Sequence, residues 1–305
     1  MNARILKTQK SVFFSRFFNT PTAVISLSFL SLMILIILLA PMYEHLRAAD
    51  STQVDLFNRF LGPSGTYILG TDELGRDLML RLLNGGKVSL SIGLIASIIA
   101  GSIGTVLGLT SGYFGGKIDS IIMRFADTII SLPLLPLLIV FTAIDLSKLG
   151  IPQTYIDMPF FGTFKIIIII SIVGWPTIAR LVRASTLAVR EDDFIQVALA
   201  QGYGPMRIMF KHILPNVTSP IIVATTLNIG NIILFESVLS FLGLGIQPPV
   251  ASWGNMLTGA QELIYEDPKL AIWPGTLIFL TVIAFNFLGD SLQRAFRTRS
   301  IQIIE

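Results

Sequence analysis

The chain of 305 residues contains no cysteine, which excludes disulfides and thiolate metal sites. Its only imidazoles are His45 and His212, and neither His-Glu-x-x-His nor another paired spacing for zinc occurs. Charge is scarce: 13% of the residues are charged and the net charge is +3, too small an excess to suggest nucleic acid as a partner. No low-complexity tail and no Ser/Gly linker divides the chain. A phosphate-binding loop is missing too. Gly115-Gly116-Lys117 matches the end of one, but the earlier glycine is absent at the required spacing. Ile118 also stands where a Ser or Thr should hold magnesium. No catalytic constellation remains. The expectation is a protein that is not an enzyme, holds no cofactor or metal, and does not itself hydrolyse ATP.

What is abundant is apolar sequence: 52% of the residues are hydrophobic and the mean hydropathy is +0.73. Runs of about 20 apolar residues can cross the hydrocarbon core of a bilayer as helices. The first, Pro21 to Ala40, follows a basic segment with Arg4, Lys7, Lys10 and Arg16. It is too long for a signal-peptide core, and Ala48-Ala49 is a poor cleavage site set well beyond it, so an uncleaved anchor helix is expected. Five further spans are predicted near 88–112, 119–143, 164–187, 217–241 and 271–291, giving an all-α integral membrane protein with six transmembrane helices. Basic residues concentrate in the N-terminal segment, around and within 191–216 (Arg180, Arg183, Arg190, Arg207, Lys211), and in the tail (Arg294, Arg297, Arg299). Six spans put all three on one side, which the positive-inside rule makes cytoplasmic. Most acids, among them Glu44, Asp50, Asp55, Asp72, Glu73, Asp77, Glu262, Glu266 and Asp267, fall on the other side. His45 and His212 then lie on opposite sides.

Several local features carry expectations. Gly93, Ser97, Gly101, Gly104 or Thr105, Gly108 and Gly112 recur at helical spacing in the second span, which lets two backbones approach closely. The seam is either packing within the subunit or a contact with a second subunit. Before it, Thr71 can cap a helix carrying Asp72 and Glu73 in its first turn. Asp77 and Arg81 can pair, Leu74, Leu78 and Leu82 share a face, and Asn84-Gly85 can end this helix. The segment reads as an amphipathic helix at the outer surface, an elbow positioning the second span. Pro133 and Pro136 should bend the third span. Asp127, Glu236 and Asp290 sit within or near apolar spans, where a carboxylate usually faces the bundle interior, a partner or water. Asp127 can pair with Arg124, and Asp290 with Arg294. Asn228, Asn231 and Asn286 either line a polar pathway or bond between helices. Candidate pathway or gating residues are thus Asp127, Asn228, Glu236 and Asp290. In the outer loop at 245–270, Trp253 could anchor at the membrane surface or help receive an external protein.

The polar stretch 191–216 between two apolar runs is longer than a simple connection needs. It predicts two short helices with an elbow. Asp192 or Asp193 caps the first, Gly202 ends it in the left-handed conformation, Pro205 opens the second and Pro215 stops it. A rigid knob of this kind suits a grip by a soluble partner.

These residues carry a family resemblance. The stretch resembles the cytoplasmic coupling loop of permease subunits in ATP-driven, binding-protein-dependent importers: Glu-Ala-Ala, three residues, Gly, then Ile-x-Leu-Pro about nine residues on. Gly202 and Ile213-Leu214-Pro215 match, while the triplet reads Gln196-Val197-Ala198, keeping only its last position. Gly70-Thr71-Asp72-Glu73-Leu74-Gly75-Arg76-Asp77 resembles the signature preceding the core in the dipeptide, oligopeptide and nickel importer group. So do Gly112-Tyr113-Phe114-Gly115-Gly116 with Asp119, Arg124, Asp127 and Pro133, the run Glu236 to Pro249 with Ser252 to Leu257, and Trp273-Pro274-Gly275 with Ala284 to Asp290.

The resemblance implies a type I ABC importer transmembrane fold in a bacterial inner membrane, multi-pass among lipid, with both termini cytoplasmic. Residues 1–85 would hold the N-terminus, first helix and extracytoplasmic segment, 86–292 the permease core, and 293–305 the tail. It implies a second permease subunit, making a heterodimer, two separate ATP-binding subunits, and an extracytoplasmic substrate-binding protein. The ATPase-coupling residues would be Asp193, Gln196, Ala198, Gly202, Ile213, Leu214 and Pro215. Di- or oligopeptides are the expected cargo; nickel, another chelated metal or a small solute is the alternative. A secondary transporter would need coupling-ion carboxylates at mid-membrane and often shows inverted repeats. No repeat is visible here, and the loop at 191–216 would then be unexplained; a channel or scaffold subunit is the other alternative.

Overall fold

The computed structural model describes residues 13–47, 51–156, 158 and 160–297. Arg4, Lys7, Lys10, Ala48, Ala49, Asp50 and Arg299 lie outside them. The elements that matter are α1 (Pro21–Leu38), α2 (Ala40–Arg47), α3 (Leu78–Phe114), α4 (Gly116–Ser131), α5 (Leu134–Ala143), α6 (Phe161–Arg190), α7 (Asp193–Ala200), α8 (Leu214–Phe241), α9 (Trp253–Glu262) and α10 (Lys269–Arg297). Among the described residues the β pairing is one isolated bridge, Thr71 with Asp77.

Five helical stretches are long and apolar enough to cross a membrane: Pro21–His45, Leu78–Phe114, Phe161–Arg190, Pro205–Phe241 and Lys269–Phe296. The sixth predicted span is a broken one. α4 and α5 meet at 91° across Leu132-Pro133, where proline has no N–H to continue the helical ladder. Pro136 sits inside α5 without a second break.

α3 is the central helix and touches α1, α4, α6, α8 and α10. Its glycines explain how. A Cβ added to Gly108 would lie 2.6 Å from the Ala179 carbonyl oxygen and 2.7 Å from Val182 Cβ, so only glycine permits this approach to α6. Gly104 and Gly112 meet α6 in the same way, and Gly93 and Gly101 meet α8. The small-residue seam is therefore packing within the subunit. One core cluster joins α1, α3, α8 and α10 through Met33, Leu82, Ile233 and Phe285, and a second joins α3, α5, α6 and α8 through Ile92, Leu138, Ile170 and Ile232.

The segment before α3 corrects the sequence expectation. Thr71 caps no helix; residues 71–77 form a turn with Gly75 at φ 74°. The Asp72 carboxylate accepts from the Leu74 and Arg76 amides, both at 2.9 Å, and from Arg76 Nε at 2.7 Å. Arg81 Nε also reaches Asp72, at 3.2 Å. Asp77 is itself the N-cap of α3 and accepts from the Met79 amide at 2.8 Å. Leu78 and Leu82 are buried core residues, so this is no surface helix. Nor does Asn84-Gly85 end it. α3 runs on because Gly85 and Gly86 give room to the Trp253 ring, whose Nε1 donates to Leu82 O at 2.9 Å. Trp253 is only 1% exposed, which rules out a membrane-surface anchor and contact with an external protein.

Candidate functional site

The loop between α6 and α8 folds into a compact knob. α7 starts after Asp192, which takes the N-cap position without a side-chain bond. It ends in a Schellman arrangement: the Gly202 amide donates to Leu199 O at 2.9 Å and the Tyr203 amide to Ala198 O at 3.2 Å. Gly202 has φ 78°, as its position after the helix demands. Pro205 opens the next turn, Pro205–Arg207, as expected. Pro215 does not stop that helix. Residues Ile208–Ile213 form a π-helical turn that leads directly into α8, with Pro215 in the first turn of α8. The widened turn removes the steric and hydrogen-bonding conflict a proline would cause in an α-helical ladder.

The knob is fixed to the bundle from below. Ile195, Ile208, Ile213 and Val217 are buried against Leu109, Ile178 and Val182. The Tyr203 ring stacks on His212 at 5.8 Å, and the Arg207 guanidinium covers it at 4.0 Å. Of the seven expected coupling residues, Ala198 and Ile213 are buried, Leu214 is half-buried, and Asp193, Gln196, Gly202 and Pro215 are exposed. Gln196 Nε2 donates to Arg190 O at 3.2 Å, so the residue at the carboxylate position ties α7 to the end of α6. The sequence motif did not reveal the exposed apolar side chains: Phe194, Val197, Leu199, Met206 and Phe210 all project from the knob.

The four candidate pathway residues occupy different environments. Asp127 is exposed on α4 and pairs with Arg180 of α6, not with Arg124. The side chain that reaches it comes from a neighbouring helix, which no local spacing reveals. Asp290 is exposed on α10, and Asn228 is half-buried on α8 with Nδ2 buried and lacking a hydrogen bond among the described residues. Glu236 is fully buried and does not face a path in the subunit. Its Oε2 accepts from Ser89 Oγ at 2.9 Å and its Oε1 from Ser240 Oγ at 2.7 Å. Each serine in turn accepts an amide from the segment that follows α8: Ser89 from Trp253 at 3.2 Å, Ser240 from Ile246 at 3.0 Å. Glu236 thus anchors the loop after α8. That loop and the start of α6 wall an open cavity of about 540 Å³, where Lys165 Nζ donates to Thr142 O at 2.6 Å. Sequence reasoning missed Ser89 and Ser240, because a serine in an apolar helix gives no sign of its partner.

Among the described residues no cluster of three or more His, Asp or Glu could hold a metal ion. The arrangement offers membrane spans, a rigid knob at one end and a tied loop at the other.

Comparison with known proteins agrees with this geometry. The family profile for the binding-protein-dependent transport system inner membrane component matches residues 104–302. The chain is 36% identical over 280 residues to the oligopeptide transport system permease protein OppC of Haemophilus influenzae, covering 92% of this chain and 85% of that protein. It is 38% identical to the dipeptide transport system permease protein DppC of Alkalihalophilus pseudofirmus, covering 90% and 84%. To the glutathione transport system permease protein GsiD of Pectobacterium atrosepticum it is 37% identical, covering 95% and 91%. A chain of the inward-facing MetNI methionine ABC transporter superposes with a TM-score of 0.57 at 20% sequence identity, over 72% of this chain and 97% of that one. The fold is thus that of a type I ABC importer's transmembrane part. Profile and relatives agree over most of the sequence, so the chain belongs to the family of binding-protein-dependent transport system inner membrane components.

Proposed function

We propose that this permease subunit imports di- or oligopeptides. It would do so as half of a heterodimer with a second permease, above two ATP-binding subunits and beneath an extracytoplasmic binding protein. Residues 86–292 form its core, 293–305 its tail, and both termini are cytoplasmic, as the basic flanks favour. The observation that carries the proposal is the knob at 191–216, pinned below by buried isoleucines and apolar above. Such a lever docks in a groove of an ATPase and moves with it. ATP binding closes the ATPase pair and carries the knob, tipping the permeases from inward-open to outward-open, and hydrolysis resets them. The membrane part needs only two packings that the ATPase can bias. Peptide cargo is supported by relatives named for oligopeptides and dipeptides.

The test is reconstitution in liposomes. With the second permease, the ATPases and the binding protein, a peptide should accumulate only when ATP is supplied. The purified chain alone should show neither ATP hydrolysis nor uptake. Uptake driven by an ion gradient without ATP would replace this proposal with a secondary transporter. Measuring what the binding protein binds separates peptide from nickel or another solute.

A further inference from the structure

α4 has three distinct sides. At about 100° per residue, Ile122, Met123, Ala126 and Ile129 point one way, and they pack with Ile103, Leu107, Trp175 and Ala179 of α3 and α6. Asp119 lies on this side too, held by Arg183 Nη2 at 2.6 Å. Ile118, Ile121 and Phe125 make a second side, apolar and exposed, although the Phe125 ring also stacks on Trp175 at 6.0 Å. Lys117, Ser120, Arg124, Asp127, Thr128 and Ser131 fill the third, a sector of about 100° containing no apolar residue. All six are exposed.

The polar sector carries charge that hydrocarbon would not accept. The Arg180 and Asp127 side chains pair at its edge yet remain 48% and 56% exposed. Arg124, near its centre, makes no ion pair among the described residues. Charged groups within a span face the bundle interior or a water-filled cavity. α4 already has an apolar exposed side to present to lipid, so its polar side must look elsewhere. Arg180 is neutralised by Asp127 and Arg183 by Asp119. Arg124 therefore retains an uncompensated guanidinium, a group that pairs well with carboxylates.

We propose that the polar side of α4 lines the water-filled solute path of the assembled permease pair, and that Arg124 contacts a carboxylate of the passing solute. This rests on the importer assignment above. Ser120, Thr128 and Ser131 donate to carbonyls of their own helix, so they coat the wall without competing for the solute. Lys117, in the first turn of α4, is the sector's other cation outside the ion pairs of the described residues; Arg124, two turns further along the helix, is the group that discriminates by charge.

The natural absence of cysteine makes the test direct. Ser120→Cys, Thr128→Cys and Ser131→Cys are compared with Ile118→Cys, Ile121→Cys and Phe125→Cys in the complete transporter, built with cysteine-free partners in proteoliposomes. A membrane-impermeant methanethiosulfonate should modify the first set and block uptake. The second set should remain unmodified. Equal modification of both sets, or modification of the first without loss of uptake, as at a lipid headgroup layer, overturns the wall. Arg124→Gln should raise KM roughly two- to fivefold for a dipeptide, the scale of an exposed ion pair. KM for the same dipeptide as its C-terminal amide should stay unchanged. Equal shifts for both overturn the carboxylate contact. If the complex assembles and transports while the polar side stays unmodified, only this inference fails. If the chain does not copurify with ATPase and sister permease, the importer assignment and this inference fail together. If neither dipeptide is taken up, peptide cargo and the carboxylate contact fail, and the labelling still decides the wall.

Discussion

Replacing Glu236 by glutamine changes one atom of a buried network and should loosen a loop several residues away. The carboxyl group offers two oxygens, one contacted by the Ser89 hydroxyl and the other by the Ser240 hydroxyl, and each of these serines accepts a loop amide. Glutamine keeps one acceptor and turns the other into a donor. The serine facing that NH2 must turn its proton away. A hydrogen bond contributes about 0.5–1.5 kcal/mol net, and leaving a buried group unsatisfied costs about 1–3 kcal/mol. A serine in a helix can recover part of this by bonding to the carbonyl four residues earlier. The net cost is therefore about 1–3 kcal/mol, too little to unfold the bundle. Hydrogen exchange reads it locally. Amides in 244–254 should exchange roughly fivefold to a hundredfold faster in Glu236→Gln, tenfold corresponding to about 1.4 kcal/mol. Ser240→Ala should release mainly Ile246, and Ser89→Ala mainly Trp253. Unchanged exchange at both amides in Glu236→Gln would refute the idea that this carboxylate holds the loop, and would make it an isolated buried acid.

Gly202→Val should cost on the order of 1–2 kcal/mol through backbone strain alone, since nothing lies within 4 Å of an added Cβ. It should reach the membrane normally and lose ATPase copurification and uptake, whereas Gly202→Asn, which tolerates the left-handed region, should keep both; normal uptake by the valine variant would show that the elbow angle is irrelevant. Gly108→Val should lower the melting temperature of the solubilised subunit, because its Cβ meets the Ala179 carbonyl at 2.6 Å and overpacking costs about 1–3 kcal/mol; an unchanged melting temperature contradicts the close α3–α6 approach. Single cysteines replacing Lys211 and Glu262, probed in intact cells with a membrane-impermeant thiol reagent, should label only at 262, and labelling only at 211 would invert the topology.

What the sequence made legible was whatever depends on near neighbours. Long apolar runs mark spans because the bilayer sets their length, and five of the six were found, although α3 begins at Leu78, ten residues before the predicted start at 88. Pro133 signalled the break in the remaining one. Where a local signal has two uses, it misled. Asn84-Gly85-Gly86 has the residues of a helix end, yet the glycines serve the approach of Trp253, which arrives from far along the chain. Pro215 has the residue type of a stop, but the π turn before it lets the helix continue. Thr71 and Asp72 have the pattern of a cap, but Asp72 is drawn into a turn by Arg76 and Arg81. Asp127 finds Arg180, and Glu236 finds Ser89, only after the helices have packed. Each miss is a choice between local options made by a distant partner.

The knob shows the same division within a single site. The positions that carry the resemblance are those that shape it: Ala198 and Ile213 are buried beneath it, Gly202 turns the chain, and Pro215 enters α8 beyond the π turn. Under the proposed coupling, the side chains free to touch an ATPase are others, Phe194, Val197 and Met206, which are exposed and which the motif does not specify. A lever must hold its angle whatever surface it grips. A motif made of shaping residues, with the gripping residues left open, is what a common lever fitted to different ATPases requires. On this view Gln196 in place of the motif's carboxylate is tolerable, because its amide ties α7 to α6 by donating to the Arg190 carbonyl, a bond that an ionised carboxylate could not make. The loss of a charge there leaves the angle intact.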